Sequence, residues 1–131
     1  FTQDYQVILP AHPRLKYYIG DNNIELTNII FIDPLSYIDF ISLVYGCELV
    51  LTDSGGIQEE TTYLGINCLT LREETERPIT VQEGTNKVIG TDKENIINEI
   101  NNVLGSKISN EAKIKYWDGE TSDRIFQILF G

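Results

Sequence analysis

Short apolar runs alternate with segments of helical spacing along most of this chain, and this alternation constrains its fold more than any other feature. Five runs rich in Val, Ile, Leu and Phe predict strands, at Gln6–Leu9, Asn28–Ile32, Glu48–Leu51, Cys68–Leu71 and Lys87–Ile89. Apolar residues at helical spacing predict helices, at Pro13–Ile19, Ser36–Val44, Ile57–Leu64, Lys93–Leu104 and Thr121–Phe130. We therefore expect an α/β fold with a doubly wound parallel sheet, because right-handed crossovers put helices on both sheet faces.

Local signals predict some of the element boundaries. Thr91 and Glu94 form a capping-box pattern for the helix that starts at Lys93, and Gly105 is placed to stop it. The irregular stretch Glu73–Asn86 predicts a long loop, and loops of that size inside compact domains are usually functional. The last helix carries apolar residues at core spacing, namely Ile125, Ile128 and Leu129.

Length and charge bound the class of protein. The chain has 131 residues, 41% of them hydrophobic, which suits one domain with a real core. Its 20 acidic and 10 basic residues give a net charge of -10, which argues against nucleic acid and anionic membranes as partners. No apolar run approaches the roughly 20 residues of a membrane span, and the first residues lack a signal-peptide pattern. We expect a soluble, cytoplasmic protein.

Few residues suit a metal or a cofactor. Cys47, Cys68 and the single histidine, His12, do not make a zinc site or a disulfide framework, so we expect two reduced thiols and no metal. Neither GxGxxG nor a Walker-type GxxxxGK is present, and we expect no cofactor. The chain has no Met and opens at Phe1, which predicts a piece of a longer protein.

The richest functional signal is the turn Ser54-Gly55-Gly56, which follows an apolar run and precedes a carboxylate-rich helix. Glycines allow a ligand to approach the backbone closely, and the first amides of the helix have no partner within it. This arrangement predicts an anion cradle suited to a phosphate ester. Spacing alone favours this hypothesis no more than a plain tight turn in which Ser54 caps the helix.

Polar clusters follow the predicted strands at residues 10–14, 33–34, 52–56 and 72–78. In a doubly wound fold the carboxyl ends of parallel strands share one edge, where ligands bind, so we expect these clusters to converge on one rim. From the residues alone, we expect a small phosphate-bearing ligand of the nucleotide class, bound by half of a cleft.

Each candidate side chain has a structural and a functional interpretation. Arg77 is either a surface ion pair or a guanidinium fork for phosphate oxygens. His12 is either a hydrogen-bonded residue at a helix start or a phosphate contact. Glu60 is our candidate for accepting hydrogen bonds from sugar hydroxyls. Helical spacing favours the core for Phe40 and Tyr37 over a stacking role for a base.

The segments LPAHPR, IDPLSY, LTDSGGIQEE, LREETERP and EGTNKVIGTD occur in this order and closely resemble the C-terminal domain of non-hydrolysing UDP-N-acetylglucosamine 2-epimerases. The resemblance covers nearly the whole chain. It implies a Rossmann-like half of a two-domain fold of the glycosyltransferase-B type, with the nucleotide between the domains. It also implies that an N-terminal domain outside this chain holds the main catalytic carboxylates, and that this fragment alone is inactive.

The resemblance further implies interconversion of UDP-GlcNAc and UDP-ManNAc, by elimination of UDP to a glycal and its addition back after protonation on the opposite face. A homodimer is usual for the family. His12 and Arg77 would contact the diphosphate, and His12 is the one residue here with a candidate catalytic role. The other residues implied in UDP binding are Phe40 in the nucleoside pocket, Ser54, Gly55 and Gly56 at the phosphates, and Glu60 at the ribose.

Two positions depart from the family pattern, and several functions stay open. Many members have His-x-Asn-Pro where this chain has His12-Pro13-Arg14-Leu15, and a glutamate where it has Ile79. A 2-epimerase for another UDP-N-acetylamino sugar, a hydrolysing epimerase, a nucleotide-sugar glycosyltransferase and a non-catalytic UDP-sugar-binding module are the alternatives. Glu59 and Glu60 are adjacent, whereas retaining glycosyltransferases of this shape pair glutamates a helix turn or two apart.

Overall fold

The computed structural model describes residues 5–21, 28–104 and 114–131. The chain divides into two compact units, Phe1–Leu43 and Val44–Gly131. Each unit is described by itself.

The first unit is a βαβ arrangement. Strand β1 spans Val7–Pro10, helix α1 spans Pro13–Asp21, and strand β2 spans Ile29–Ile32. The two strands pair in parallel, with Val7 opposite Ile29. Helix α2, Tyr37–Tyr45, follows, and the boundary between the units falls within it.

The second unit contains a three-stranded parallel sheet in the order β3-β4-β5. Its strands are β3 (Leu49–Thr52), β4 (Asn67–Thr70) and β5 (Asn86–Val88). Its helices are α3 (Gly55–Leu64), α4 (Pro78–Gln82), α5 (Lys93–Leu104) and α6 (Thr121–Phe130).

The two faces of the three-stranded sheet differ in character because successive side chains of a strand point to opposite faces. On one face Leu69 of β4 packs with Ile89 and with Ile100 of α5, which form a buried apolar cluster. On the other face Cys68 and Thr70 are directed towards α3, whose inward residues are polar. Three of those helix residues are completely buried, namely Gln58, Thr61 and Thr62.

The start and the end of helix α3 follow from the local sequence. Ser54 is the N-cap residue in an extended conformation, and the Gln58 N–H donates to the Ser54 carbonyl at 3.3 Å. Gly65 ends the helix with a left-handed φ of 71°, and its N–H bonds back to the last turn. A residue with a side chain would be strained at that φ, so the glycine stops the helix there.

The predicted class is confirmed, since all described strands pair in parallel and helices connect them. The five predicted strands and five predicted helices are all present, with boundaries shifted by at most two residues. The predicted loop Glu73–Asn86 was wrong in part, because it contains the short helix α4. Proline is favoured in the first turn of a helix, and Pro78 occupies that position.

Three smaller predictions need correction. The cap of α5 is Asp92 rather than Thr91, because the Asp92 carboxylate accepts the Asn95 N–H at 2.9 Å. Tyr37 is 64% exposed and does not belong to the core. The residues of α6 expected at core positions are exposed instead: Ile125, Ile128 and Leu129. Gly105, expected to stop α5, lies outside the described residues.

Candidate functional site

The second unit brings the glycine turn and Arg77 together. A Cβ added to Gly55 would lie 3.7 Å from Cγ, 3.8 Å from Nε and 3.9 Å from Cζ of Arg77. The side chain of Arg77 therefore covers the first residue of α3. The two residues come from segments that follow neighbouring strands, β3 and β4, so the parallel sheet places both at the same edge.

The N-terminus of α3 is open to an anion. Ser54 makes no side-chain capping bond, so its hydroxyl is available. The N–H groups of Gly55, Gly56 and Ile57 have no acceptor among the described residues, as is usual for a first helical turn without a side-chain cap. These donors and the helix dipole give the turn the chemistry that an anion such as a phosphate group requires.

The turn is held in shape by β3. The Ser54 N–H donates to the Thr52 hydroxyl at 3.1 Å, and the Thr52 carbonyl accepts the Leu71 N–H at 2.8 Å. Thr52 is buried. The last residue of the strand therefore fixes the entry into α3 and ties it to the segment that leads to Arg77.

Arg77 has a carboxylate close by. Its Nε is 3.0 Å from Oε1 of Glu59, and both side chains are 42% exposed. This distance makes the two side chains an ion pair. The geometry is not that of a hydrogen bond, and the Nε–H has no hydrogen-bond acceptor among the described residues. Its Nη1 donates to the Glu76 carbonyl at 3.3 Å. Arg77 is thus partly neutralised, with donors that remain available to a ligand.

Glu60 lies one residue further along α3, in the second turn rather than the first. It is half-buried, and within the described part of the chain its carboxylate has neither a hydrogen-bond donor nor a cation as partner. A carboxylate in this state can accept hydrogen bonds from hydroxyl groups.

His12 and Phe40 belong to the first unit, so their position relative to the glycine turn is not described. His12 is exposed and sits at the start of α1, where its Nδ1 accepts the Arg14 N–H at 3.3 Å. That contact matches the structural interpretation of a residue at a helix start. Phe40 is half-buried on α2. The convergence of all four polar clusters on one rim stays a prediction.

Arg72, in the same loop as Arg77, is engaged elsewhere. It makes two hydrogen bonds to the Glu76 carboxylate, at 3.2 and 3.1 Å. The pKa of Glu76 is lowered by hydrogen bonding to its own backbone and by Arg72. Arg72 is therefore less available for a ligand than Arg77.

Sequence reasoning missed the polar residues that lie beneath this site. Gln58, Thr75 and Asn86 are joined by side-chain hydrogen bonds, and Gln58 and Asn86 are buried. The available signal was a glutamine on the inward face of α3, where an apolar residue is the usual choice.

Within residues 5–21, 28–104 and 114–131, no group of three or more His, Cys, Asp or Glu side chains is arranged to hold a metal ion. In the same ranges no helix has both the length and the apolar character of a membrane span.

Comparisons with known proteins connect this geometry to a family. The family model described as UDP-N-acetylglucosamine 2-epimerase matches residues 1–130. A UDP-N-acetylglucosamine 2-epimerase of Methanococcus maripaludis is 38% identical over 130 residues, which are 95% of this chain and 35% of that protein. The chain thus spans about a third of the length of the curated relatives it matches.

Solved structures agree with the sequence comparison. The UDP-GlcNAc 2-epimerase of Methanocaldococcus jannaschii is 38% identical and superimposes with a TM-score of 0.82, over 96% of this chain and 36% of that one. The same enzyme in complex with UDP-GlcNAc and UDP gives a TM-score of 0.79 at 36% identity, over 97% of this chain and 36% of that one. The chain belongs to the UDP-N-acetylglucosamine 2-epimerase family.

Proposed function

We propose that this chain is the UDP-binding half of a UDP-N-acetylglucosamine 2-epimerase that interconverts UDP-GlcNAc and UDP-ManNAc. One observation carries the proposal: Arg77 atoms lie 3.7 to 3.9 Å from the Gly55 Cβ position, over a helix start whose first amides have no acceptor in the part of the chain that the structure describes. A diphosphate is the ligand group that fits a guanidinium and a helix N-terminus together. The M. jannaschii relative binds UDP and UDP-GlcNAc.

The reaction removes the proton from C2 of the sugar and breaks the bond between C1 and the UDP oxygen. The products of this half-reaction are UDP and a glycal. A proton then adds to C2 from the opposite face, and UDP adds back to C1, so atoms and charge balance over the cycle. The negative charge that develops on the leaving diphosphate is what the amides of Gly55 and Gly56 and the guanidinium of Arg77 would stabilise.

The remaining site residues have proposed roles in binding. Ser54 would donate its free hydroxyl to a phosphate oxygen, and Glu60 would accept hydrogen bonds from the ribose. His12 would contact the diphosphate and is the candidate for proton transfer within this chain, and Phe40 would line the nucleoside pocket. The main acid and base carboxylates would come from an N-terminal domain. We propose a homodimer in the cytoplasm.

The decisive experiment incubates the complete protein with UDP-GlcNAc in deuterated water. We expect deuterium at C2 of both UDP-GlcNAc and UDP-ManNAc, because the proton returned to C2 comes from solvent. Release of free ManNAc would indicate the hydrolysing alternative. Transfer of the sugar to an acceptor without label at C2 would indicate a glycosyltransferase, and UDP binding without turnover would indicate a binding module.

A binding measurement tests the half-site directly. Calorimetric titration of the complete protein with UDP should give an affinity that falls about tenfold or more in Arg77→Ala, since hydrogen bonds to charged groups contribute about 1.5–3 kcal/mol. Lys87→Ala is the matched control, because Lys87 pairs with Glu99 at 2.6 Å and lies on β5. Equal UDP affinity in Arg77→Ala and the wild type would remove Arg77 from the site.

A further inference from the structure

A network of buried polar side chains lies between α3 and the sheet of the second unit. The Thr70 hydroxyl donates to Asn86 Oδ1 at 2.6 Å, and Asn86 Nδ2 donates to Gln58 Oε1 at 3.2 Å and to the Thr80 hydroxyl at 3.0 Å. Gln58 Oε1 also accepts the Thr75 hydroxyl at 2.5 Å. Gln58, Thr70 and Thr80 are fully buried, and Asn86 is 5% exposed.

Two members of this network hold the backbone of Arg77, one on each side. The Arg77 N–H donates to the Thr75 hydroxyl at 3.0 Å. The Thr80 hydroxyl donates to the Arg77 carbonyl at 2.7 Å, and the Thr80 N–H donates to the same carbonyl at 3.0 Å. Because Thr75 is bonded onward to Gln58 of α3, the main chain of Arg77 is tied to the helix that its side chain covers.

Each hydroxyl in the network both accepts and donates. The Thr75 hydroxyl accepts from the Arg77 N–H and donates to Gln58 Oε1, and the Thr80 hydroxyl accepts from Asn86 Nδ2 and donates to the Arg77 carbonyl. A side chain without a hydroxyl at position 75 would therefore leave both the Arg77 N–H and Gln58 Oε1 with one hydrogen-bond partner fewer. A buried network of this kind restricts the positions of its members, because moving one of them breaks hydrogen bonds that water does not replace.

Not every polar group on this face of α3 has a partner among the described residues. Gln58 Nε2 and Thr62 Oγ1 are buried without a hydrogen-bond partner among the described residues. A buried polar group left unsatisfied costs about 1–3 kcal/mol, and an apolar residue at the same position would avoid that cost. The neighbouring face of the sheet is packed with Leu and Ile at no such cost.

We propose that Thr75 and Thr80 are positioning residues for Arg77, and that Gln58 and Asn86 anchor them to α3 and β5. The network sets the distance between the guanidinium and the helix start, so that both act on the same diphosphate. The inference rests on the proposed function, because it assigns the network a role in holding UDP. It adds residues that contact no ligand and act through Arg77.

The test compares three threonine variants in the complete protein, with the Kd for UDP measured by calorimetry at fixed salt. Thr75→Val keeps the shape but removes the hydroxyl, and we expect its Kd to rise about tenfold. Thr75→Ser keeps the hydroxyl and should bind UDP as the wild type does. Thr85→Val is the matched control: it also removes a threonine hydroxyl, bonded to the Ile66 carbonyl at 2.6 Å, and should leave the Kd unchanged.

A double-mutant cycle separates positioning from general destabilisation. In the Arg77→Ala background, Thr75→Val should have no further effect on the Kd, because the residue it positions is gone. A further loss of affinity in that background would overturn the proposal. UDP binding by Thr75→Val with the wild-type Kd would also overturn it. If Arg77→Ala binds UDP more weakly in that case, the proposed function still holds and only the positioning proposal fails.

A second variant tests the other side of the same residue. Thr80→Val removes the hydroxyl that donates to the Arg77 carbonyl, and it should raise the Kd in the same Arg77-dependent way. Thr80→Val also tests the positioning proposal if the Thr75→Val protein does not fold. If Arg77→Ala itself binds UDP normally, the role of Arg77 in the proposed function fails, which is distinct from failure of the positioning proposal.

Discussion

Arg77 lies over Gly55, with its Nε 3.8 Å and its Cζ 3.9 Å from the point where a Cβ on Gly55 would be. The contact joins a residue before α4 to the first residue of α3. It places the guanidinium beside the backbone amides of the helix start. In the proposed site these donors would touch a diphosphate directly, whereas salt screens most of the distant charges that make up the net charge of -10.

Glu59 competes with a ligand for Arg77, since its Oε1 is 3.0 Å from the Arg77 Nε. We predict that Glu59→Gln lowers the Kd for UDP, because the substitution releases the guanidinium and removes a negative charge near the phosphates. An exposed ion pair contributes at most about 1 kcal/mol, so the gain should reach at most about fivefold. Calorimetry at low and high salt measures it, and the gain should shrink as salt screens the charge.

The control for this prediction is Glu99→Gln. Glu99 lies on α5 and pairs with Lys87 of β5, so this substitution also removes one carboxylate charge from an ion pair. It should leave the Kd within experimental error of the wild type. Unchanged or weaker UDP binding by Glu59→Gln at low salt would contradict the prediction.

Gly84 is required by close packing. A Cβ there would overlap the Thr80 carbonyl oxygen and would lie 2.6 Å from Thr62 Cγ2. We predict that Gly84→Ala lowers the free energy of unfolding by about 1–3 kcal/mol, as overpacking of a closed site does. Urea unfolding of the complete protein measures the change.

Gly55→Ala is the comparison for Gly84→Ala. Its added Cβ would meet Arg77 at no less than 3.7 Å, an ordinary van der Waals contact. Its unfolding free energy should change by no more than about 0.5 kcal/mol. Equal loss of stability in both variants would show that the close contacts of Gly84 do not decide its role.

Asp118 anchors the start of α6. Its carboxylate accepts hydrogen bonds from both Nη atoms of Arg124 and from the Glu120 N–H. Hydrogen bonding from Arg124 is the largest cause that lowers the pKa of Asp118 from 3.8 to about 2. Because the folded pKa is the lower one, this contribution to stability is present above pH 3.8 and is lost as the pH falls through about 2.

Titration of the Asp118 carboxyl carbon by NMR checks this pKa. Arg124→Gln should raise it towards 3.8, since the main donor is removed. Lys115→Gln removes a cation that lies over the Tyr116 ring and does not bond to Asp118, so it should leave the value unchanged. A wild-type pKa near 3.8 would show that Arg124 does not hold the carboxylate in solution.

The element order could be predicted because strands and helices have different apolar periods over short windows. The one helix that was missed, Pro78–Gln82, is too short to show a period. The capping-box pattern predicts Thr91 as the cap of α5, whereas the carboxylate that reaches the Asn95 N–H belongs to Asp92, one residue later. Patterns of capping residues tolerate such a shift because neighbouring polar side chains can reach the same amides.

The candidate site was predictable in part. Ser54, Gly55 and Gly56 are adjacent in the chain and precede a helix, so their role follows from local chemistry. The supporting network was not predictable, because Gln58 is 17 residues from Thr75 and 28 residues from Asn86. Hydrogen bonds over such separations exist only once the strands have been aligned by the sheet.

By itself, the sequence determined the parallel α/β elements, the glycine turn at the start of α3 and the family to which these motifs belong. Those features depend on residues within a few positions of one another, where periodicity and backbone preference act. Only the tertiary structure decided that Arg77 covers Gly55, that Glu59 pairs with it, and that Thr75 and Thr80 hold its backbone. Those contacts depend on how strands β3, β4 and β5 pair, because pairing brings the ends of distant segments to one edge of the sheet.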